Sequence, residues 1–252
     1  MKLFKILVAL AALAVVPAFA QNSFQVKYVP NLNVGDSFVN ITNTGAVFGL
    51  NLNLNAPPGM AGMPPQIDKN DDLCINIYVF TPDEQEQECC SCLLTSNGLA
   101  TFSVQNDLTS NFLTFHPRND VVIKLLATAS CIPQATGGCF PQSSAANCNA
   151  ATAGELPTIN ALGQFVSVGP PPPSGQPLAP GMRAWGTALH ANTTAPPTYQ
   201  VTETRFETGE LRQRELDRIT GLCSFIQQNG SGSGICARDH GLCVTPNPPA
   251  IR

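Results

Sequence analysis

The sequence predicts an antiparallel β-sandwich-like domain with one C-terminal amphipathic helix and disulfide-stapled loops. Three observations predict it. Seven or more short segments alternate apolar and polar residues, or run β-branched, between Gly, Pro and Asn punctuation, as strands with a buried face do. Only one long stretch, 208–228, switches to the 3.6-residue period of a helix. The chain also carries 10 cysteines, an even number that in an oxidising compartment reads as a disulfide framework.

The first twenty residues stand apart from this pattern. Lys2 and Lys5 precede an apolar run from Ile6 to Val16, and Pro17 leads to Ala18-Phe19-Ala20. That order is a signal peptide, since a spanning helix needs about 20 apolar residues. The expected mature chain is a single β-rich domain, 21–252, beginning at Gln21, exported to the periplasm or the exterior, with no transmembrane segment. Losing two lysines takes Lys plus Arg from 13 to 11 against 17 acids, a formal charge of −6. A chain so poor in basic residues has no phosphate-tracking stripe, which excludes nucleic acid as a partner. Only 12% of residues are charged, so the expected surface is neutral and polar.

Phe24 to Val29 alternates and stops at Pro30, an N-terminal strand. Asp36 to Gly45 places Phe38 or Val39 and Ile41 in a second strand, and Ala46 to Leu54 alternates again. Pro57, Pro58, Gly59, Gly62, Pro64 and Pro65 break regular structure. Leu73 to Phe80 carries bulk on both faces and is expected inside a sheet. Thr81-Pro82-Asp83-Glu84 resembles a capped helical start with Pro at its first position. Ser96-Asn97-Gly98, between the apolar runs Leu93 to Thr95 and Leu99 to Val104, signals a hairpin. Val121 to Thr128 is a strand by its β-branched content. Residues 131–181 hold three cysteines and Pro170 to Pro173, with too little apolar content for a core; they read as a long, locally stapled excursion with an extended Pro spacer. Ala184 to His190 and Thr198 to Thr204 are strand-like, and Trp185, the one tryptophan, is expected in the core. In 208–228, Leu216, Ile219, Cys223 and Ile226 form one apolar stripe, and Glu210 and Arg214 make an i, i+4 pair on the wet side.

The cysteines fall into three groups: Cys74, Cys89, Cys90 and Cys92; Cys131, Cys139 and Cys148; Cys223, Cys236 and Cys243. Proximity favours bonds within groups, and if the first closes on itself at least one bond must join the other two. Cys223 lies on the helix stripe and needs a partner there. Gly230, Gly232 and Gly234 let Cys236 fold back to it, closing a loop of about 13 residues worth roughly 3 kcal/mol. Cys243 is then left for the middle group or for the Cys89 cluster.

Other residues suggest chemistry that their context opposes. Cys89-Cys90-Ser91-Cys92 could bind metal or exchange disulfides, but Glu84, Glu86 and Glu88 would raise a thiol pKa, so structural bonds are expected. Cys236, His240 and Cys243, with Asp239 nearby, have three-ligand spacing, yet no second ligand pair is evident. Asp68, Asp71 and Asp72 lack the calcium-loop pattern. The three histidines, His116, His190 and His240, lie in separate segments, and no contiguous hydrolase signature is present. No catalytic, cofactor or metal residue is assigned.

The segments Cys74-Ile-Asn-Ile-Tyr-Val-Phe80, Cys89-Cys-Ser-Cys92, Asn97-Gly-Leu99, Asn106-Asp-Leu-Thr-Ser-Asn111, Ala184-Trp-Gly-Thr187 and Asn229-Gly-Ser-Gly-x-Gly-x-Cys236 resemble a group of uncharacterised secreted bacterial proteins. The resemblance implies export and a shared fold and supplies no catalytic residue. Function is expected to be that of a non-enzymatic extracellular or cell-surface structural or adhesive protein. The alternatives are an extracytoplasmic hydrolase with a noncontiguous site, and a pilus-like subunit that self-associates by donating Phe24 to Val29.

Overall fold

The structure is a computed structural model that describes residues 23–45, 72–110, 119–133, 139–141, 144–154, 158–159, 165–166, 176, 178–192, 198–229, 235–236 and 243. The expected signal segment, the strand expected at Ala46 to Leu54, the Pro-rich breaks at 57–65, the Pro run at 170–173, Asp68, Asp71, Asp239, His116 and His240 lie outside the described residues. Two antiparallel sheets carry the fold. In the five-stranded sheet the order is β13 (Glu207–Thr208), β1 (Phe24–Val29), β6 (Val121–Ala129), β3 (Leu73–Phe80) and β4 (Glu86–Leu94). The four-stranded sheet runs β12 (Thr198–Arg205), β11 (Met182–Asn192), β2 (Phe38–Asn43) and β5 (Leu99–Ser103). Two small ribbons, β7 (Cys131–Pro133) with β8 (Cys139–Pro141) and β9 (Thr158–Ile159) with β10 (Phe165–Val166), belong to the excursion.

Strand periodicity builds the main core between the sheets. Ile75, Ile77 and Val79 on β3, with Ile123 and Leu125 on β6, meet Val39, Ile41, Phe102, Met182 and Ala184 from the four-stranded sheet. On its far face the five-stranded sheet is covered again. Tyr78, Phe80, Cys89, Phe24 and Leu126 pack under Ala150, Ala153 and the helix α2 (Gln213–Asn229), through Leu216, Ile219 and Cys223. This explains why all eight residues of β3 are buried: the strand has core on both sides. Its one amide on the helix side is fully used. Asn76 donates to the Leu126 carbonyl (3.0 Å) and to Thr128 (3.1 Å), and accepts from Ser91 (2.7 Å). Such satisfaction is what a buried polar group requires.

Several expectations need correction. Thr95 to Gly98 does form a turn, with Gly98 N–H donating to the Thr95 carbonyl at 2.8 Å and Asn97 at φ 57°. It is not a hairpin, because β4 and β5 pair in different sheets. Only Asn97 of the two central residues is left-handed, whereas the I′ turn that winds two strands together needs both. Thr81 to Glu84 starts no helix; Thr81 and Gln85 close a loop between β3 and β4, with Glu84 at φ 64°. The C-terminal helix begins at Gln213 rather than Thr208, because Glu207 and Thr208 are held as strand against Val26 and Gln25. Glu210 consequently pairs with Arg212, at 3.2 Å, in place of Arg214. Trp185 is not core. Met182, Ala184 and Ala188 take the inward positions of β11, so period two turns Trp185 outward. A short helix, α1 (Val104–Asp107), follows β5 and is capped by Ser103, whose hydroxyl accepts from Asn106 N–H at 2.9 Å.

Candidate functional site

The cysteines show what alternation on one strand does. Cys89 points to the helix side and bonds Cys223; Cys90 and Cys92, on the opposite face, bond Cys236 and Cys243; Cys74 on β3 bonds Cys148. Bonds inside the first group are absent, against the proximity expectation, and Cys223 joins Cys89 rather than Cys236. Neighbouring residues of a strand point to opposite faces and alternate ones stand parallel about 6.6 Å apart, so Cys89, Cys90 and Cys92 cannot close on one another. They reach instead for segments laid over the sheet. Ile235 makes a parallel bridge with Cys89, and Cys243 N–H donates to the Leu93 carbonyl at 2.9 Å. Cys148 likewise staples the excursion to the body of the fold. Cys236 and Cys243 are disulfide-bonded and offer no thiolate to a metal.

Beside Cys89–Cys223 lies a charged cluster that the sequence does not announce. Lys124 on β6 pairs with Glu215 of α2 and sits 4.4 Å above the Phe80 ring. Arg218, one turn on, binds both the Glu84 carboxylate (3.2 Å) and the Glu84 carbonyl (3.1 Å). Glu86 stands among them with neither carboxylate oxygen hydrogen-bonded. Burial pushes its pKa up to about 8, and the nearby Lys124 and Arg218 offset only part of that. Its carboxylate and the sulfurs of Cys89 and Cys223 lie within 4.8 Å of one another, but oxidised sulfurs are poor metal ligands, so the cluster reads as helix docking.

The third set is the outer face of the four-stranded sheet, assembled from strands far apart in the chain. Register puts Arg205, Trp185, Asn40 and Thr101 in one row across four strands, and Glu203, Thr187, Phe38 and Ser103 in the next. Asn40 joins the rows, donating to Glu203 at 3.1 Å and accepting from Thr101 at 2.9 Å. The Arg205 guanidinium stacks 5.7 Å from the Trp185 ring. Phe38 is 44% exposed and Tyr199, on the same face of β12, 57%. A shallow cleft lined by Gln25, Met182, Arg183 and Phe206 opens beside Trp185 and Arg205. Planar apolar rings interleaved with amides, hydroxyls and balanced single charges can stack on and hydrogen-bond a flat polar ligand.

His190, the one histidine among the described residues, is exposed and meets Thr202 Oγ1 at 2.9 Å and Asn31 at 3.4 Å. Both partners are neutral. Asp72 accepts from Ser96 N–H at 3.0 Å, a turn contact. Phe24–Val29 is bonded along its length to β6 and at Gln25 and Val26 to β13, so both its edges are engaged within this chain. No helix among the described residues is long and apolar enough to cross a membrane. Comparison with protein-family models, with curated proteins and with solved structures finds no match.

Proposed function

We propose that the protein is a non-enzymatic structural or adhesive protein of the bacterial exterior or periplasm, whose contact surface is the outer face of the four-stranded sheet. Four disulfides suit an oxidising compartment, and the sequence supplies an export signal of the right order. One observation carries the reading: Trp185, Phe38 and Tyr199 share an open face with the Asn40–Glu203–Thr101 network. Its chemistry suits a neutral polysaccharide. Sugar rings present apolar C–H faces to aromatic rings and hydroxyls to amides and carboxylates, while Arg183, Arg205 and Glu203 leave a single net positive charge, too little to select a phosphate polymer.

The test is retention of the mature protein on insoluble neutral glycans, with chitin and cellulose as probes. Retention on at least one, lost in Trp185→Ala and Phe38→Ala variants of unchanged circular dichroism, is the expected result. Equal retention of the variants would place adhesion elsewhere, and no retention on any would remove the polysaccharide reading.

A further inference from the structure

The two sheets end differently. The outer edge of β4 is occupied by the disulfide-bonded tail, through the Ile235 bridge and the Cys243 amide. By contrast β12, at the edge of the other sheet, is exposed at all eight residues. An edge strand of that length presents a row of backbone donors and acceptors open to a further strand, and proteins ordinarily guard such edges with proline, bulges or outward charge. Here the guards are missing. Thr198-Tyr-Gln-Val-Thr-Glu-Thr-Arg205 has no proline, and its pairing with β11 runs through all eight residues without a register shift. Its two charged side chains lie back along the sheet's outer face and not past the edge, Glu203 to Asn40 and Arg205 to Trp185. What remains on the strand's outer face is apolar: Val201, 63% exposed, and Tyr199.

We infer that β12 pairs with β12 of a second copy of this chain, antiparallel, about a two-fold axis normal to the sheet and centred on Val201. Side-chain chemistry selects that register. Side chains keep their face when strands pair this way, so the register can shift only in steps that preserve the alternation. Centring on Val201 sets Val201 against Val201 of the second copy and Tyr199 against its Glu203, with Gln200 opposite its Thr202. Centring on Glu203 would set two carboxylates directly opposite, which is destabilising. Centring on Tyr199 or Gln200 would leave the C-terminal part of the strand without a partner, and centring on Thr202 would set Val201 against a carboxylate, Glu203, in place of a second valine. The result is one continuous sheet of eight strands. This inference does not need the glycan reading: the backbone edge of β12 carries the pairing, and the face residues only set its register.

The test uses the full mature chain in analytical ultracentrifugation over a micromolar to millimolar series, with amide hydrogen exchange on the same samples. Expected are reversible dimerisation and exchange that slows in 198–205 as concentration rises. Val201→Lys, which sets two ammonium groups opposite each other at an exposed site, should shift the dimer constant by ten-fold or more toward monomer; Val201→Ile should retain it. Circular dichroism checks that each variant is folded. A chain that stays monomeric throughout, a dimer indifferent to Val201→Lys, or concentration-dependent protection at Phe24–Val29 or β5 instead of β12 would each overturn the assignment.

Discussion

The five-stranded and four-stranded sheets share one core yet are finished in opposite ways. The first is covered on both faces at its centre, where every residue of β3 is buried, and every one of the four disulfides starts on it, at Cys74, Cys89, Cys90 or Cys92. The second holds none of these bonds and shows one whole face and one whole edge to solvent. Labour is divided between the two. A twice-covered sheet fixes the fold, and the other is free to carry aromatic and polar groups whose identity the core does not dictate.

The same kind of truncation made in each sheet tests this division most directly. Ile77→Ala, at a fully buried site on β3, should cost about 2–5 kcal/mol in urea unfolding. Val201→Ala, on β12, should cost less than ~0.5 kcal/mol. Comparable losses would show that the second sheet is no less committed to stability than the first. Next comes the disulfide pair Cys89→Ala/Cys223→Ala. The sequence separation is 134, but Cys90 next door is already tied to Cys236, so the loop this bond alone closes is only about 14 residues. The expected loss is therefore ~3 kcal/mol, the value for a short loop, and not the ~4.7 kcal/mol of one near a hundred residues. Hydrogen exchange should localise it to 213–229 and leave β11 and β12 unaffected.

A pH titration sharpens the same contrast. The pKa of Glu86 in the folded protein, raised to about 8, lies above that in the unfolded chain, so folding binds a proton between the two values. Its stabilising contribution is complete below the ordinary carboxyl pKa and is lost as pH rises toward 8. Thermal stability should decline across that window by at most a few kcal/mol, since one proton is worth about 1.4 kcal/mol for each pH unit crossed. Glu86→Gln, which stays neutral, should flatten the decline. An unchanged profile would mean that Lys124 and Arg218 already compensate the carboxylate. Smallest is Trp185→Ala, expected to cost under ~1 kcal/mol of stability for an outward-facing side chain, even though glycan retention should vanish. Finally, non-reducing peptide mapping should recover Cys131 linked to Cys139, because the other eight cysteines pair among themselves and leave these two for each other.

Much of the fold is legible locally. Phe24–Val29 is marked by its alternation and Pro30, β3 by bulk on both faces, and α2 by Leu216, Ile219 and Cys223 on one stripe. What the residues do not disclose is long-range. Asn97-Gly98 announces a turn but not that the chain leaves one sheet there for the other. Trp185 lies within a legible strand, yet a one-residue difference in phase decides between core and surface, and only the inward Met182 and Ala184 settle it. The bond partners lie 74 to 151 residues apart, beyond any argument from proximity. The outer-face set joins residues from 38–42, 99–103 and 183–205, and becomes a site only when register places Asn40 beside Trp185. The Glu86 cluster is half visible: Glu84, Glu86 and Glu88 are conspicuous, but Lys124 and Arg218 come to them only through sheet pairing and helix docking.

The disulfide arrangement also makes maturation a problem of timing. Cys89, Cys90 and Cys92 precede their partners by 134, 146 and 151 residues. Until those later residues reach the oxidising compartment, each of the three thiols is without its native partner. During that interval Cys131 and Cys139 are nearer in the chain and already made. Any bond oxidised early between them and β4 has to be undone by thiol–disulfide exchange before the tail can close over the strand. The last cysteine synthesised, Cys243, therefore governs when the edge of β4 is sealed.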